Sequence, residues 1–280
     1  MQTGCTEVDL CMEEEHPHTA RLTFDFDWEG NTNEKPEDML VLMSRIINTK
    51  HYVFTINTAE GNANSEENTD DELENEFRVE GGEYSMITFN KNTEIIDMTR
   101  IDRFEEEPAE QINDLSLSLV TFDEPDVEEM SLSYWTDFNP MYKYVKDPDV
   151  VFIGTRRVNL FSGTSREIGF KPVRLTQKIR IRFRIKPDPS VTVTKIVGEM
   201  SGVVASIKLV SLQIDDSQTY RVCFIPQVVD TTDGMITYEG EINTLGIIPN
   251  INGVEMSGPG IMHLGIFAEV DGKQKVYHER

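Results

Sequence analysis

Cysteine is scarce in this chain of 280 residues: Cys5, Cys11 and Cys223 are all it has, too few for a disulfide framework. Basic charge is also short. Lys and Arg total 26 against 50 Asp and Glu, a formal net charge of -24, and a nucleic-acid partner, which needs a basic surface to neutralise phosphates, is thereby excluded. No run of 18 apolar residues occurs, so no segment reads as a membrane-spanning helix. No apolar stretch opens the chain, so no intact signal peptide is read there. A G-x-S-x-G elbow, a GxGxxG fingerprint and a P-loop are missing, which removes the usual signatures of nucleophilic and nucleotide chemistry. Carboxylate pairs are plentiful, but an acid-rich surface supplies them by chance and they do not indicate glycoside hydrolysis. The expectation is a non-enzymatic protein with no cofactor.

Metal sites fare no better. Cys11, His16 and His18 form a loose C-x4-H-x-H, whereas structural zinc takes four ligands at tighter spacing. Asp25, Asp27, Glu29, Gly30 and Asn31 match the first half of a calcium loop, but the twelfth position is Pro36 and not a bidentate Glu. The carboxylates are read as the wet face of a strand, and no metal is expected. Cys223, within the apolar run "YRVCFIPQ", is expected to be a buried thiol.

What the chain does have is alternation. In "KIRIRFRIK" Ile179, Ile181, Phe183 and Ile185 interleave with Lys178, Arg180, Arg182, Arg184 and Lys186, the period of a strand with one dry face. "ARLTFDFDW" repeats it, with Leu22, Phe24, Phe26 and Trp28 opposite Thr23, Asp25 and Asp27. Further strands are expected at 39–43, 52–57, 77–79, 84–89, 115–122, 150–153, 191–196, 220–225, 235–242, 262–270 and 275–278. Asp233-Gly234 and Asp271-Gly272, each between apolar runs, are strong hairpin signals. Helical periodicity is rare; "GEMSGVVASIKLV" is given a short helix and "EEEPAEQIN" about one turn. Many short strands and few helices point to β-sandwiches.

Charge is unevenly spread. Residues 1–150 carry 10 basic and 37 acidic side chains, and residues 151–280 carry 16 and 13. This step predicts two domains, an acidic one over 19–155 and a second over 156–280, behind a flexible leader segment. The acidic half would repel an anionic cell surface, leaving the half with "KIRIRFRIK" for a basic or neutral partner. One aromatic cluster stands out: Tyr134, Trp135, Phe138, Tyr142 and Tyr144, around Pro140. Such rings either stack on sugars and partners or pack the junction between domains.

Three segments in order carry a resemblance. They are the strand ending in Asp27-Trp28; "FRVEGGEYSMITFNKNTEIID" with Gly81-Gly82-Glu83-Tyr84; and "KIRIRFRIK" followed by "GEMSGVVASIKL" with Gly198, Ser201, Gly202 and Ala205. Together they resemble the fimbrillin-like accessory and anchor lipoproteins of Bacteroidales. The resemblance implies an all-β fold of two tandem Greek-key-type sandwiches, transthyretin-like as in fimbrillins. It implies a fimbria anchor or accessory subunit in adhesion, exposed on the cell surface, with fimbrial subunits as partners through β-strand addition. Thr3-Gly4-Cys5 is similar to the end of a bacterial lipobox, which implies lipidation of Cys5 and attachment to the outer membrane, 1–18 serving as the tether. The alternative function is a surface glycan-binding lipoprotein using the 134–144 aromatics.

Overall fold

The computed structural model describes residues 18–28, 30, 34–47, 50–58, 63–64, 77–91, 96–97, 115–121, 143–145, 147–215, 217–248 and 260–279. The first strands in chain order are β1 (Thr19–Phe26), β2 (Asp38–Arg45), β3 (His51–Asn57), β4 (Ala63–Asn64), β5 (Phe77–Glu80), β6 (Gly82–Asn90), β7 (Ile96–Asp97), β8 (Ser116–Leu119), β9 (Tyr144–Val145) and β10 (Phe152–Leu160). They are followed by β11 (Ser165–Phe170), β12 (Val173–Arg174), β13 (Gln177–Ile185), β14 (Val191–Val204), β15 (Ser206–Lys208), β16 (Thr219–Phe224), β17 (Gln227–Thr232), β18 (Met235–Thr244), β19 (Met262–Val270) and β20 (Lys273–Glu279). No helix occurs among the described residues, and the fold is all-β.

A three-stranded sheet, β11-β1-β5, packs on a six-stranded sheet, β12-β10-β6-β2-β3-β4. Between them lies a core in which Leu22, Phe77, Val79, Ile168 and Phe170 meet Val41, Met43, Phe54, Tyr84, Met86 and Val158. The alternation read in β1 is present: Ala20 and Leu22 are buried, Arg21 and Asp25 exposed. β2 behaves differently, with Met39 through Ser44 all buried. Its unbroken "MLVLM" follows from coverage on both faces: Val41 and Met43 join this core, whereas Leu40 and Leu42 join a second one.

That second core is one contiguous cluster. Leu40, Leu42, Ile87, Phe89 and Ile153 from the six-stranded sheet meet Leu117 and Leu119 of β8 and, farther along the chain, Ile181, Met200, Val222, Phe224, Tyr238 and Ile242. Its other walls are the sheets β13-β18-β17, β20-β19-β14-β16-β9 and β15-β8-β7.

Strand pairing does not follow the division expected between residues 155 and 156. β10 runs through that point and pairs with β6 as far as Leu160 opposite Gly82, and β11 lies parallel to β1 as far as Phe170 opposite Phe26. In the other direction, β8 pairs with β15 and β9 with β16. The division was drawn from a step in charge. Solvated side chains carry that charge, while pairing is decided by the buried faces.

The stretch expected to hold a short helix, "GEMSGVVASIKLV", is instead the end of β14 and the start of β15. Its β-branched residues are covered on both faces, and a bulge between Met200 and Val203 absorbs Ser201 and Gly202. Ser201 Oγ receives the Ile261 N–H at 3.0 Å, and Ile248 N–H donates to Gly202 O at 2.7 Å, so the bulge grips two later segments. Both Asp-Gly pairs form the hairpin turns read from the sequence. Asp233 and Gly234 have φ of 53° and 73°, Asp271 and Gly272 52° and 70°, as a two-residue turn matching strand twist requires. "EEEPAEQIN" lies outside the described residues; β11 and most of β10 lie outside the strands expected from the sequence, and β17 is announced only by the Asp233-Gly234 turn that follows it.

Candidate functional site

Cys5, Tyr134, Trp135, Phe138 and Tyr142 lie outside the described residues, as do Cys11 and His16. Tyr144 is described: it is 4% exposed and sits in β9, opposite Arg221 of β16 in parallel register. The ring is packed inside.

Close by is a buried polar cluster that sequence reading missed. Glu199 on β14 stands opposite Cys223 on β16 and His263 on β19. Its Oε1 lies 2.5 Å from Arg221 Nη1 and 2.9 Å from His263 Nδ1. Burial pushes the Glu199 carboxyl up from its ordinary value, and Arg221 and then His263 oppose the shift. Burial also raises the Cys223 thiol well above its usual range, so the sulfur is a neutral packing group and not an activated nucleophile. The three strands become neighbours only in the fold, and no local spacing announces the cluster. Among the described residues no group of three or more His, Cys, Asp or Glu side chains is placed to hold a metal ion.

The basic face of β13 is largely answered from within. Arg180 bonds Glu241 at 2.7 Å, Lys178 reaches Glu34 at 3.0 Å and Glu241 at 3.5 Å, and Arg182 lies 3.8 Å from Glu239. Arg174 extends the chain of pairs, 2.7 Å from Glu34 and 2.6 Å from Asn243 Oδ1. The hydrogen bond from Lys178 holds Glu34 below the usual carboxylate range. Exposed pairs of this kind add little stability singly, but here they cancel the positive face that the sequence presents.

One open stretch of backbone lies between β10 and β11. β11 is an edge strand, β12 covers β10 only at Phe152 and Ile153, and among the described residues no strand pairs with the rest of β10 on that side. Arginines span the gap: Arg166 Nη1 donates to Asn159 O at 2.8 Å, and Arg156 Nη1 donates to Gly169 O. A hollow of about 470 Å³ opens there, lined by Asp25, Asp27, Thr155, Arg156, Gly169, Phe170 and Lys171. Lys171 lies 3.8 Å from Asp27, so one of the aspartates singled out for calcium faces a cation of the chain. Chemically, the seam offers backbone carbonyls and amides behind two arginines hydrogen-bonded across it. A second exposed edge is β17, all six of whose residues are exposed.

The sequence profile of the family described as "Domain of unknown function (DUF5119)" matches residues 4–224. The chain belongs to this family. DUF5119 thus takes in the first pair of sheets entire and runs to the end of β16. No curated protein matches the chain. Among solved structures, a candidate adhesin from Bacteroides ovatus ATCC 8483 aligns at a TM-score of 0.57 with 14% identity, over 100% of this chain and 87% of that one. A candidate adhesin from Bacteroides thetaiotaomicron VPI-5482 aligns at 0.51 with 12% identity, over 92% and 79%. The fimbrial anchor protein Mfa2 from Porphyromonas gingivalis aligns at 0.45 with 10% identity, over 89% and 76%, too loosely to carry an argument. At these identities the first two likenesses establish a shared fold for this DUF5119 chain.

Proposed function

We propose that the protein is a non-enzymatic lipoprotein of the bacterial cell surface, held to the outer membrane through lipid on Cys5. In this reading it serves adhesion as a fimbria anchor or accessory subunit. The observation that carries the reading is the likeness of its whole fold to a Bacteroides candidate adhesin, which spans 100% of the chain. The β10–β11 seam supports strand addition as the mode of assembly, because an unpaired edge supplies donors and acceptors to an incoming strand. Such a strand would displace Arg156 and Arg166 from the carbonyls they occupy. We further read the architecture as two Greek-key-type, transthyretin-like sandwiches, the first built from β1–β6 and β10–β12 and the second from β7–β9 and β13–β20.

Deleting the gene tests the role. The expected outcome is a change in the number, length or surface retention of fimbriae. Fimbriae unaltered in all three respects would overturn the reading and promote the glycan-binding alternative, for which Trp135→Ala on a glycan array is the next measurement.

A further inference from the structure

Four parts of the chain meet at one end of the first pair of sheets. Leu160 pairs with Gly82 and Arg45 with Tyr84 where β10, β6 and β2 reach that end. Ile46 N–H donates to Glu83 O at 2.9 Å, and Gly163 N–H donates to Thr19 O at 3.0 Å. Ser162 Oγ donates to His18 O at 3.1 Å. The turn after β2, the start of β6 and the turn between β10 and β11 are therefore grouped around His18, where residues 1–17 join the described fold.

This end is apolar at its tip. Ile46, Ile47 and Phe161 are 47%, 70% and 65% exposed. Single exposed apolar residues are ordinary, but three on neighbouring turns form a patch. Positive charge surrounds it. Residues 1–150 hold ten Lys and Arg, and four of them, Arg21, Arg45, Lys50 and Arg78, are here. Arg21 N–H bonds Thr164 O in the β10–β11 turn. Arg45 precedes Ile46, lies 3.0 Å from Glu80 and donates to Gly81 O at 2.6 Å, and Lys50 reaches the same Glu80 at 2.5 Å, so two cations share one carboxylate. Arg166 adds a fifth cation, and Glu80, Glu83 and Glu167 are carboxylates among them.

Two details give the charge a direction. The outward face of β1 reads Arg21, Thr23, Asp25 and then Asp27, positive at the tip and negative away from it. Arg21 and Arg78, both exposed, stand directly opposite each other on β1 and β5.

We propose that this end rests on an anionic phospholipid bilayer. Ile46, Ile47 and Phe161 enter the headgroup layer, while Arg21, Arg45, Lys50, Arg78 and Arg166 meet lipid phosphates. Apolar insertion and basic attraction together are what peripheral membrane contact requires. Screening over about 8 Å at physiological ionic strength lets the bilayer sense this collar more than the distant acidic residues. The proposal rests on the reading that Cys5 holds the chain at a membrane, and it assigns which end of the fold faces that membrane.

The test uses the full chain made without export, so that Cys5 carries no lipid and the acidic residues of the leader count against binding. It is expected to sediment with vesicles of phosphatidylethanolamine and phosphatidylglycerol, and not with phosphatidylcholine vesicles. Arg21→Ser with Arg78→Ser is expected to weaken binding about tenfold, and Ile47→Ser with Phe161→Ser to weaken it by a similar factor. Arg184→Ser with Lys186→Ser on β13 should leave binding unchanged. Phe161→Trp, which removes no apolar surface, should give blue-shifted emission on the anionic vesicles, above the two native tryptophans. Failure of the parent chain to sediment with anionic vesicles, tip variants no weaker than the β13 control, or an unshifted emission from the Phe161→Trp variant would each overturn the proposal. Acylation of Cys5 is measured separately, by mass, so failure of the anchor reading is distinguishable from failure of this one.

Discussion

Arg221 Nη1 lies 2.5 Å from Glu199 Oε1, and the two side chains are 7% and 2% exposed. Removing one partner of such a pair leaves a charge stranded away from water. Arg221→Met is expected to cost about 3–5 kcal/mol in urea unfolding, whereas Arg221→Met with Glu199→Leu should recover most of that loss. Equal losses in the single and double variants would mean that packing, and not charge pairing, holds this sheet.

Gly198 sits beneath an aromatic ring. A Cβ added there would lie 2.2 Å from the tip carbon of Phe224, and Phe224 is buried in the second core. Gly198→Ala is expected to destabilise by about 1–3 kcal/mol through overpacking. Adding Phe224→Leu to the Ala variant should cost less than Phe224→Leu costs alone, a non-additivity measurable by thermal unfolding.

Asp147 is half-buried and accepts the Asn243 N–H. Burial raises its carboxyl above the ordinary value, the Asn243 hydrogen bond opposes the shift and Asp149 adds to it. A raised folded-state pKa means that this group favours folding most below its unfolded-state value of about 3.9, and less as pH rises through the folded-state value. Asp147→Asn keeps the acceptor and removes the charge. The variant should be more stable than the parent at pH 7, with the gain fading as pH falls toward about 4. A gain independent of pH would rule out this carboxylate as its source.

Cys5 is expected to carry lipid when the protein is produced with an export signal. A diacylglycerol thioether with an N-acyl chain buries methylenes at about 0.8 kcal/mol each, enough for stable anchoring. Mass spectrometry of protein extracted from membranes should show the modified cysteine, and Cys5→Ser should release the protein from the membrane fraction. An unmodified Cys5 in membrane-extracted protein would end the lipoprotein reading.

Cys223 offers a readout of the fold itself. With Cys5 and Cys11 replaced by Ser, the remaining thiol should react with a maleimide only in denaturant, because it is 1% exposed and burial holds it protonated.

Local features were legible in the amino-acid sequence. Period-2 alternation placed β1 and β13, and the Asp-Gly turns placed the hairpins of β17–β18 and β19–β20, because side-chain direction and positive φ are properties of a few consecutive residues. Only the tertiary structure decided which strands pair. β10 and β11 return to β6 and β1 across some seventy to a hundred and fifty residues, and the "GEMSGVV" stretch is a strand because β16 and β19 lie on either side of it. The same holds for the sites. Glu199, Arg221 and His263 come from three strands, and Arg21, Arg45 with Lys50, Arg78 and Arg166 from four separate places. Charge counted along the chain described an acidic half; pairing of distant strands gathered four of its ten cations around one apolar tip.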